Sequence, residues 1–130
     1  LKARLDTAVV LITHDLGVVA ETCDQVIVMY AGRMTEAAPV GELFDRPLHP
    51  YTRGLMRAIP RLDLDAEASG RRPRLSEITG LVPSLTREIA GCAFAPRCRL
   101  ADEACRSAPE RVDEGARAYR CHHPLPEGRT

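Results

Sequence analysis

Four of the five cysteines, Cys92, Cys98, Cys105 and Cys121, fall in the last third of the chain with the spacing C-x5-C-x6-C-x15-C, and His122 and His123 follow the last of them. Thiolates and imidazoles grouped in this way are the usual ligands of zinc and of iron. The spacing does not choose between the metals. Structural zinc sites generally contain a pair separated by two to four residues, which is missing here, and neither common ferredoxin spacing fits. Thiols left free are the plain alternative. In a reducing compartment such a group argues for metal, whereas in a secreted chain two disulfides would be the default. A four-thiolate centre has no open coordination position, so its job would be structural. The segment from Gly91 onward is dense in Cys, Pro, Arg and acidic residues and short of aliphatic ones, so it is expected to need a cross-link rather than a core. Metal binding, about 10 kcal/mol for structural zinc at neutral pH, would supply it. The two histidines rank below the cysteines as ligands. Cys23 stands apart and reads as a small buried hydrophobe.

The other chemistry-bearing residue is His14, which ends the run Val9-Val-Leu-Ile-Thr13. Consecutive apolar residues without polar alternation suit a strand covered on both faces, as in a parallel α/β sheet, and ligands of such sheets sit beyond the carboxyl ends of the strands. An imidazole there is placed to sense a phosphate. It is also simply a histidine that ends a strand, and these residues alone leave both readings open.

The elements that must position these groups follow from pattern and punctuation. Ala8–Ile12 reads as a strand and Leu16–Thr22 as a helix capped by Asp15. Gln25–Tyr30 reads as a second buried strand, Ala31-Gly32-Arg33 as a tight turn, and Arg33–Ala37 as a short antiparallel edge strand. Pro39 opens a helical turn with Val40, Leu43 and Phe44 on one face. His49-Pro50-Tyr51-Thr52 starts a further helix, with Pro50 preset for the first position and Leu55, Met56 and Ile59 forming its apolar stripe before Pro60. His49 has no neighbouring ligand in sequence and reads as a cap or packing residue. Residues 61–74 read as a linker, which contains the basic group Arg71-Arg72-Pro73-Arg74; with no interleaved aromatics this is a solvated stretch rather than an RNA site. Leu75–Leu85 reads as a short strand and a proline turn.

Composition adds limits. The 130 residues carry 18 basic and 18 acidic side chains and no net charge, so no global field points to nucleic acid or to an anionic membrane. No run reaches the 18 or so apolar residues of a membrane span.

The stretches Ala8–Leu16, Gly17-Val-Val-Ala-Glu21 and Asp24-Gln-Val-Ile-Val-Met-Tyr-Ala-Gly-Arg33 together resemble the end of an ABC-transporter ATP-binding domain. In that family the histidine after this strand contacts the γ-phosphate of ATP and helps to place the attacking water, a role the resemblance carries onto His14. His49-Pro-Tyr-Thr52, Gly80-Leu-Val-Pro-Ser-Leu85 and Gly91-Cys-Ala-Phe-Ala-Pro-Arg-Cys98 resemble the C-terminal extension of oligopeptide/dipeptide importer ATPase subunits. The fold implied is α/β: the last piece of a P-loop, RecA-like ATPase domain over 1–45, then a small cysteine-rich extension over 46–130. Similar proteins hold an iron–sulfur cluster on four cysteines of this extension, which implies a [4Fe-4S] cluster on Cys92, Cys98, Cys105 and Cys121, with Zn2+ as the alternative. The chain contains no G-x-x-x-x-G-K-[ST] loop, signature loop or Walker-B carboxylate ahead of the strand and begins at Leu1 inside an apparent helix over Leu1–Leu5. It is expected to be part of a longer ATPase, inactive as it stands and poorly stable in its first third, where each strand side chain left uncovered forfeits roughly 1.5–3 kcal/mol.

The implied function is energy coupling in a peptide importer at the cytoplasmic face of the membrane. ATP and Mg2+ would bind the longer protein. The implied partners are a second ATP-binding subunit, two transmembrane permeases and, indirectly, an extracytoplasmic peptide-binding protein, with no nucleic acid. Two alternatives stay open: a cysteine-rich metal-binding interaction module on an ATPase remnant, whose residues 47–130 would fold alone, and an importer of another substrate such as nickel. In the longer protein carrying the cluster, replacing one of the four cysteines is expected to loosen residues 76–130 and to leave the elements before residue 60 less affected.

Overall fold

The computed structural model describes residues 7–59, 77–84, 86 and 88–126. The helix expected over Leu1–Leu5, the linker at 61–74 with its basic group, and Pro60 lie outside them. Helix α1 (Leu16–Thr22) starts where Asp15 caps it: Asp15 Oδ1 accepts the N–H groups of Gly17 at 2.9 Å and Val18 at 3.1 Å, satisfying donors that have no partner inside the helix. Strand β1 (Gln25–Tyr30) turns Val28 and Tyr30 inward and leaves Ile27 and Met29 exposed.

It pairs antiparallel with β2 (Arg33–Pro39) through the two-residue turn Ala31-Gly32. Both turn residues have positive φ, +48° and +75°, the geometry that matches the right-handed twist of the flanking strands. Within this pair the register slips between Val28 and Met29. Thr35 is the extra residue, and its hydroxyl donates to the Val28 carbonyl at 3.0 Å. The slip breaks the two-residue alternation, so Thr35 and Glu36 are both buried.

Pro39 precedes α2 (Val40–Asp45), which buries Leu43 completely and Val40 and Phe44 in part. His49 caps α3 (Pro50–Ala58) by accepting the Tyr51 N–H on Nδ1 at 3.0 Å, and Pro50 occupies the first turn. Met56 of α3 joins Val28, Ala38 and Leu43 in one core, with Leu55 and Ile59 packed at its margin. A second cluster forms around Tyr30, Ala93 and Phe94, where Tyr51, Ile78, Ile89, Cys92 and Cys98 meet.

Two short strands come from the C-terminal third: β3 (Val112–Glu114) and β4 (Arg117–Tyr119). The sheet order is β1-β2-β4-β3 and every pair is antiparallel, with Glu36 opposite Tyr119 and Ala37 opposite Ala118. One sheet therefore draws two strands from each side of residue 45. The segment after Gly91 also buries Ala93, Phe94, Ala118, Tyr119 and Leu125, so it contributes to the core where its composition suggested none. The packing of Tyr30 and Tyr51 on Phe94, with ring centroids 5.3 Å apart in both cases, likewise ties the elements before residue 60 to the cysteine segment.

The chain mixes helices and sheet, as an α/β sequence should. Ala8–Ile12, however, is not a strand. It carries no regular structure and pairs with nothing among the described residues, and Val9, Val10 and Ile12 stay 69, 90 and 94 % exposed. A strand exists only through a neighbour, and no described segment lies beside this one. Residues 77–84 likewise form no strand. They are held by Arg97 instead, which donates from Nε to the Thr79 carbonyl at 2.9 Å and from Nη2 to the Ile78 carbonyl. Cys23 is half-buried rather than enclosed. Among the described residues no helix is long and apolar enough to cross a membrane.

Candidate metal centre

The cysteines are carried by segments that the sheet and the aromatic cluster hold in place. Cys92 and Cys98 flank Phe94, whose ring is fixed between Tyr30, Tyr51 and His49. Cys105 lies on a single 3₁₀ turn, Glu103–Arg106, capped by Asp102 through the Ala104 N–H at 3.0 Å. Cys121 comes two residues after β4.

Two backbone features draw these pieces together. The Cys92 N–H donates to the Cys105 carbonyl at 3.0 Å. Gly91 just before it has φ +77°, and a Cβ there would stand 2.6 Å from the carbonyl oxygens of Cys105 and Arg106, well inside contact distance. Glycine is required at this position for both conformation and space.

Strand β4 is fixed from below by a buried ion pair. Glu36, fully enclosed, accepts the Leu48 N–H on Oε1 at 2.8 Å and the His49 N–H on Oε2 at 2.9 Å, and Arg117 Nη2 lies 3.2 Å from Oε1. Arg117 also donates to the Arg46 carbonyl. The turn before α3 is thereby joined to the strand that delivers Cys121. Leu125 adds a further tie, donating its N–H to the Leu48 carbonyl at 2.8 Å.

The four thiols share one region. Burial pushes Cys121 up to about 11; the His123 N–H on its sulfur opposes this, and the neighbouring Cys92, Cys98 and Cys105 sulfurs add to it. Cys98 is raised chiefly by burial and also by Cys92 and Cys105, against N–H groups of Leu100 and Ala101 that point at its sulfur. Backbone N–H groups aimed at sulfur favour thiolates, and the mutual repulsion is what a bound cation would relieve. At neutral pH Cys98 and Cys121 are therefore thiols, and a cation bound there would have to displace their protons.

The spacing of the donor atoms is informative. A single zinc ion with sulfurs at about 2.3 Å sets tetrahedral sulfur–sulfur edges of about 3.8 Å. Among the described residues the one set of three or more donors within 4.8 Å of one another is Asp102, Cys105 and His123. The four sulfurs therefore do not form a closed single-ion set in this arrangement.

His123 Nε2 lies 2.8 Å from Asp102 Oδ1, and the contact with His123 holds the Asp102 carboxyl below the usual range. His122 turns away: its Nε2 sits 3.0 Å from the Ser107 carbonyl, so that nitrogen carries the proton. His14 is exposed, one residue ahead of the cap of α1. His49 is buried and acts as a cap, as its sequence context suggested.

Sequence reasoning missed Asp102, Glu36 and Arg117. Asp102 and Cys105 stand three apart, the spacing at which side chains eclipse on a 3₁₀ turn, which was the available signal. Glu36 gave one too, as an acidic residue between Met34 and the small residues Ala37 and Ala38 inside a strand.

Residues 35–105 match the family described as oligopeptide/dipeptide transporter, C-terminal region, and the chain belongs to that family. It is 58 % identical over 106 residues to a protein named as a probable peptide ABC transporter ATP-binding protein in Sinorhizobium fredii, covering 82 % of this chain and 30 % of that relative. Proteins named for peptide-import ATP binding in Brucella ovis and Brucella melitensis are 49 % identical over 108 residues (83 % of this chain, 32 % of the relative) and 46 % identical over 127 residues (97 % and 36 %). The chain spans about a third of the length of these relatives.

Proposed function

We propose that this chain serves in the ATP-binding, energy-coupling subunit of an ABC importer for oligopeptides or dipeptides. The observation that carries the proposal is the family match over 35–105 together with the similarity to peptide-import ATP-binding proteins along most of the chain. ATP with Mg2+ is the nucleotide, a second ATP-binding subunit and two permeases are the partners, and the cytoplasmic face of the membrane is the location. Residues 1–45 close the nucleotide-binding domain and 46–130 form the extension. The continuous sheet β1-β2-β4-β3 argues against an autonomous module over 47–130, because β4 needs β2 as its neighbour.

Within this reading His14 contacts γ-phosphate and orients the nucleophilic water, a positioning and electrostatic role. Its exposure beside the cap of α1 leaves it free to meet a ligand. Cys92, Cys98, Cys105 and Cys121 would hold a [4Fe-4S] cluster. Such a cluster supplies a cross-link of four metal–thiolate bonds, and the chain's part is to present sulfurs already aimed by backbone N–H groups.

The test is His14→Ala in the complete ATP-binding subunit assembled with its permeases. Turnover of ATP should fall by roughly 10²–10³ while nucleotide binding is largely kept, the usual consequence of removing one preorganised transition-state contact. Unchanged turnover would leave His14 as an ordinary exposed residue ahead of α1.

A further inference from the structure

We propose that His122 and His123 are positioning residues that clasp the Cys121 segment across both ends of the turn carrying Cys105, a role that rests on the reading of Cys92, Cys98, Cys105 and Cys121 as one centre. Neither histidine is a ligand of that centre.

The two rings reach opposite ends of the same short element. The turn Glu103–Arg106 begins at its cap Asp102 and closes at Ser107. His123 Nε2 lies 2.8 Å from Asp102 Oδ1 at the start. His122 Nε2 lies 3.0 Å from the Ser107 carbonyl at the close, with the Ser107 hydroxyl 3.4 Å away. Both attachment points are themselves held. Asp102 Oδ1 also accepts the Ala104 N–H at 3.0 Å, and the Ser107 hydroxyl donates to the Ala104 carbonyl at 2.9 Å. A 3₁₀ turn advances about 2 Å per residue, so contacts at its two ends fix the direction of the Cys121 segment as well as its distance. A single contact would leave a pivot.

The path of the chain shows why a clasp is needed. The Arg120 N–H meets the Thr35 carbonyl at 2.9 Å, and the Leu125 N–H meets the Leu48 carbonyl at 2.8 Å. Cys121 lies between these two anchors and has no regular structure of its own. His123 steadies it twice, because its backbone N–H points at the Cys121 sulfur while its ring meets Asp102. The clasped turn is tied to a third cysteine through the Cys92 N–H on the Cys105 carbonyl at 3.0 Å. With Nε2 of each ring engaged on a protein oxygen, the pair His122-His123 acts one step behind the thiolates, where orienting groups set how firmly a metal is held.

The experiment uses the complete ATP-binding subunit, prepared anaerobically. Iron and labile sulfide are counted, and transfer of iron to an excess of chelator is followed by absorbance. His122→Ala and His123→Ala should keep the parent's charge-transfer spectrum but lose iron faster, by at least about tenfold in the double variant. His122→Gln and His123→Gln present an amide N–H at similar reach and should restore a rate close to the parent's. Asp102→Asn keeps an acceptor for the Ala104 N–H and the His123 ring and should behave as the glutamine variants do, whereas Asp102→Ala should behave as His123→Ala does. Loss of the parent spectrum in either glutamine variant would make that histidine a ligand and overturn the clasp, as would an unchanged transfer rate in the double alanine variant. Parent protein without iron or labile sulfide sinks the cluster reading alone. Amide exchange in the reduced, metal-free subunit then decides the clasp. The N–H groups of Cys105 and Ser107, bonded to the Asp102 and Ala104 carbonyls, should lose protection in the double alanine variant and keep it in the double glutamine variant. Equal protection in parent and both variants would overturn the proposal.

Discussion

His49 shows how a single residue can serve structure and still carry a pH dependence. Its ring is buried against Phe94 and caps α3 through Nδ1, a role that requires the neutral form, since protonated Nδ1 has no lone pair to offer the Tyr51 N–H. Burial lowers its pKa to about 4, below the unfolded value near 6.5. Between those two values the unfolded chain binds more protons than the folded one, so stability rises with pH there. The contribution is fully present above about pH 6.5 and is lost as pH falls toward 4, on the order of 3 kcal/mol across the window. His49→Asn keeps a capping acceptor and removes the titration. Denaturant midpoints measured from pH 7.5 to 4.5 should therefore fall less steeply in the variant than in the parent chain. Parallel slopes would show that another group carries the acid sensitivity.

At the scale of elements, the β1–β2 hairpin separates what local sequence specifies from what it does not. Ala31 adopts φ +48° beside Gly32, in a turn whose two central residues both favour left-handed conformers; a residue with a Cβ costs roughly 1–2 kcal/mol there. Ala31→Asn should raise stability by about 0.5–1 kcal/mol, read as a higher denaturant midpoint with unchanged slope, and a lower midpoint would mean that the packing of Ala31 on the Tyr30 cluster outweighs its backbone strain. The hairpin, α1 and α3 were legible because their signals are local: Asp15, the Ala-Gly turn, Pro50, and apolar runs of the right length. The bulge at Thr35 was not, since it depends on how two strands meet. Ala8–Ile12 was misread for the same reason, because an apolar run records a wish for neighbours but cannot supply them. Strand β4 was invisible in Arg117-Ala118-Tyr119, whose burial depends on Glu36, 81 positions earlier. The candidate metal centre was half legible. Its cysteines announce themselves by type, while Asp102 and His123 join Cys105 only through the folding of the 3₁₀ turn and the path of the chain out of β4.

For the whole molecule, the decisive feature is that the β1–β2 hairpin and the cysteine-rich segment are one sheet, locked by the Glu36–Arg117 pair. Glu36 is enclosed completely and satisfies three donors from two distant segments: the N–H groups of Leu48 and His49 and the Arg117 guanidinium. Replacing a buried pair by apolar groups can be neutral, but removing one partner leaves the other charge buried without compensation. In Glu36→Ala two backbone N–H groups also lose their acceptor, so the cost should reach about 3–5 kcal/mol. The spatial pattern of the damage is more telling than its size. If Glu36 joins the two regions, amide exchange should accelerate together at Leu48 and His49 before α3 and at Ala118 and Tyr119 in β4. The Cys121–His123 segment, delivered by β4, should loosen with them. Arg117→Met should reproduce the effect in β4, with protection at Leu48 and His49 partly kept because Glu36 still accepts both N–H groups. Exchange that speeds up only around α3 in Glu36→Ala, with β4 unchanged, would show that the sheet holds the C-terminal segment without the ion pair.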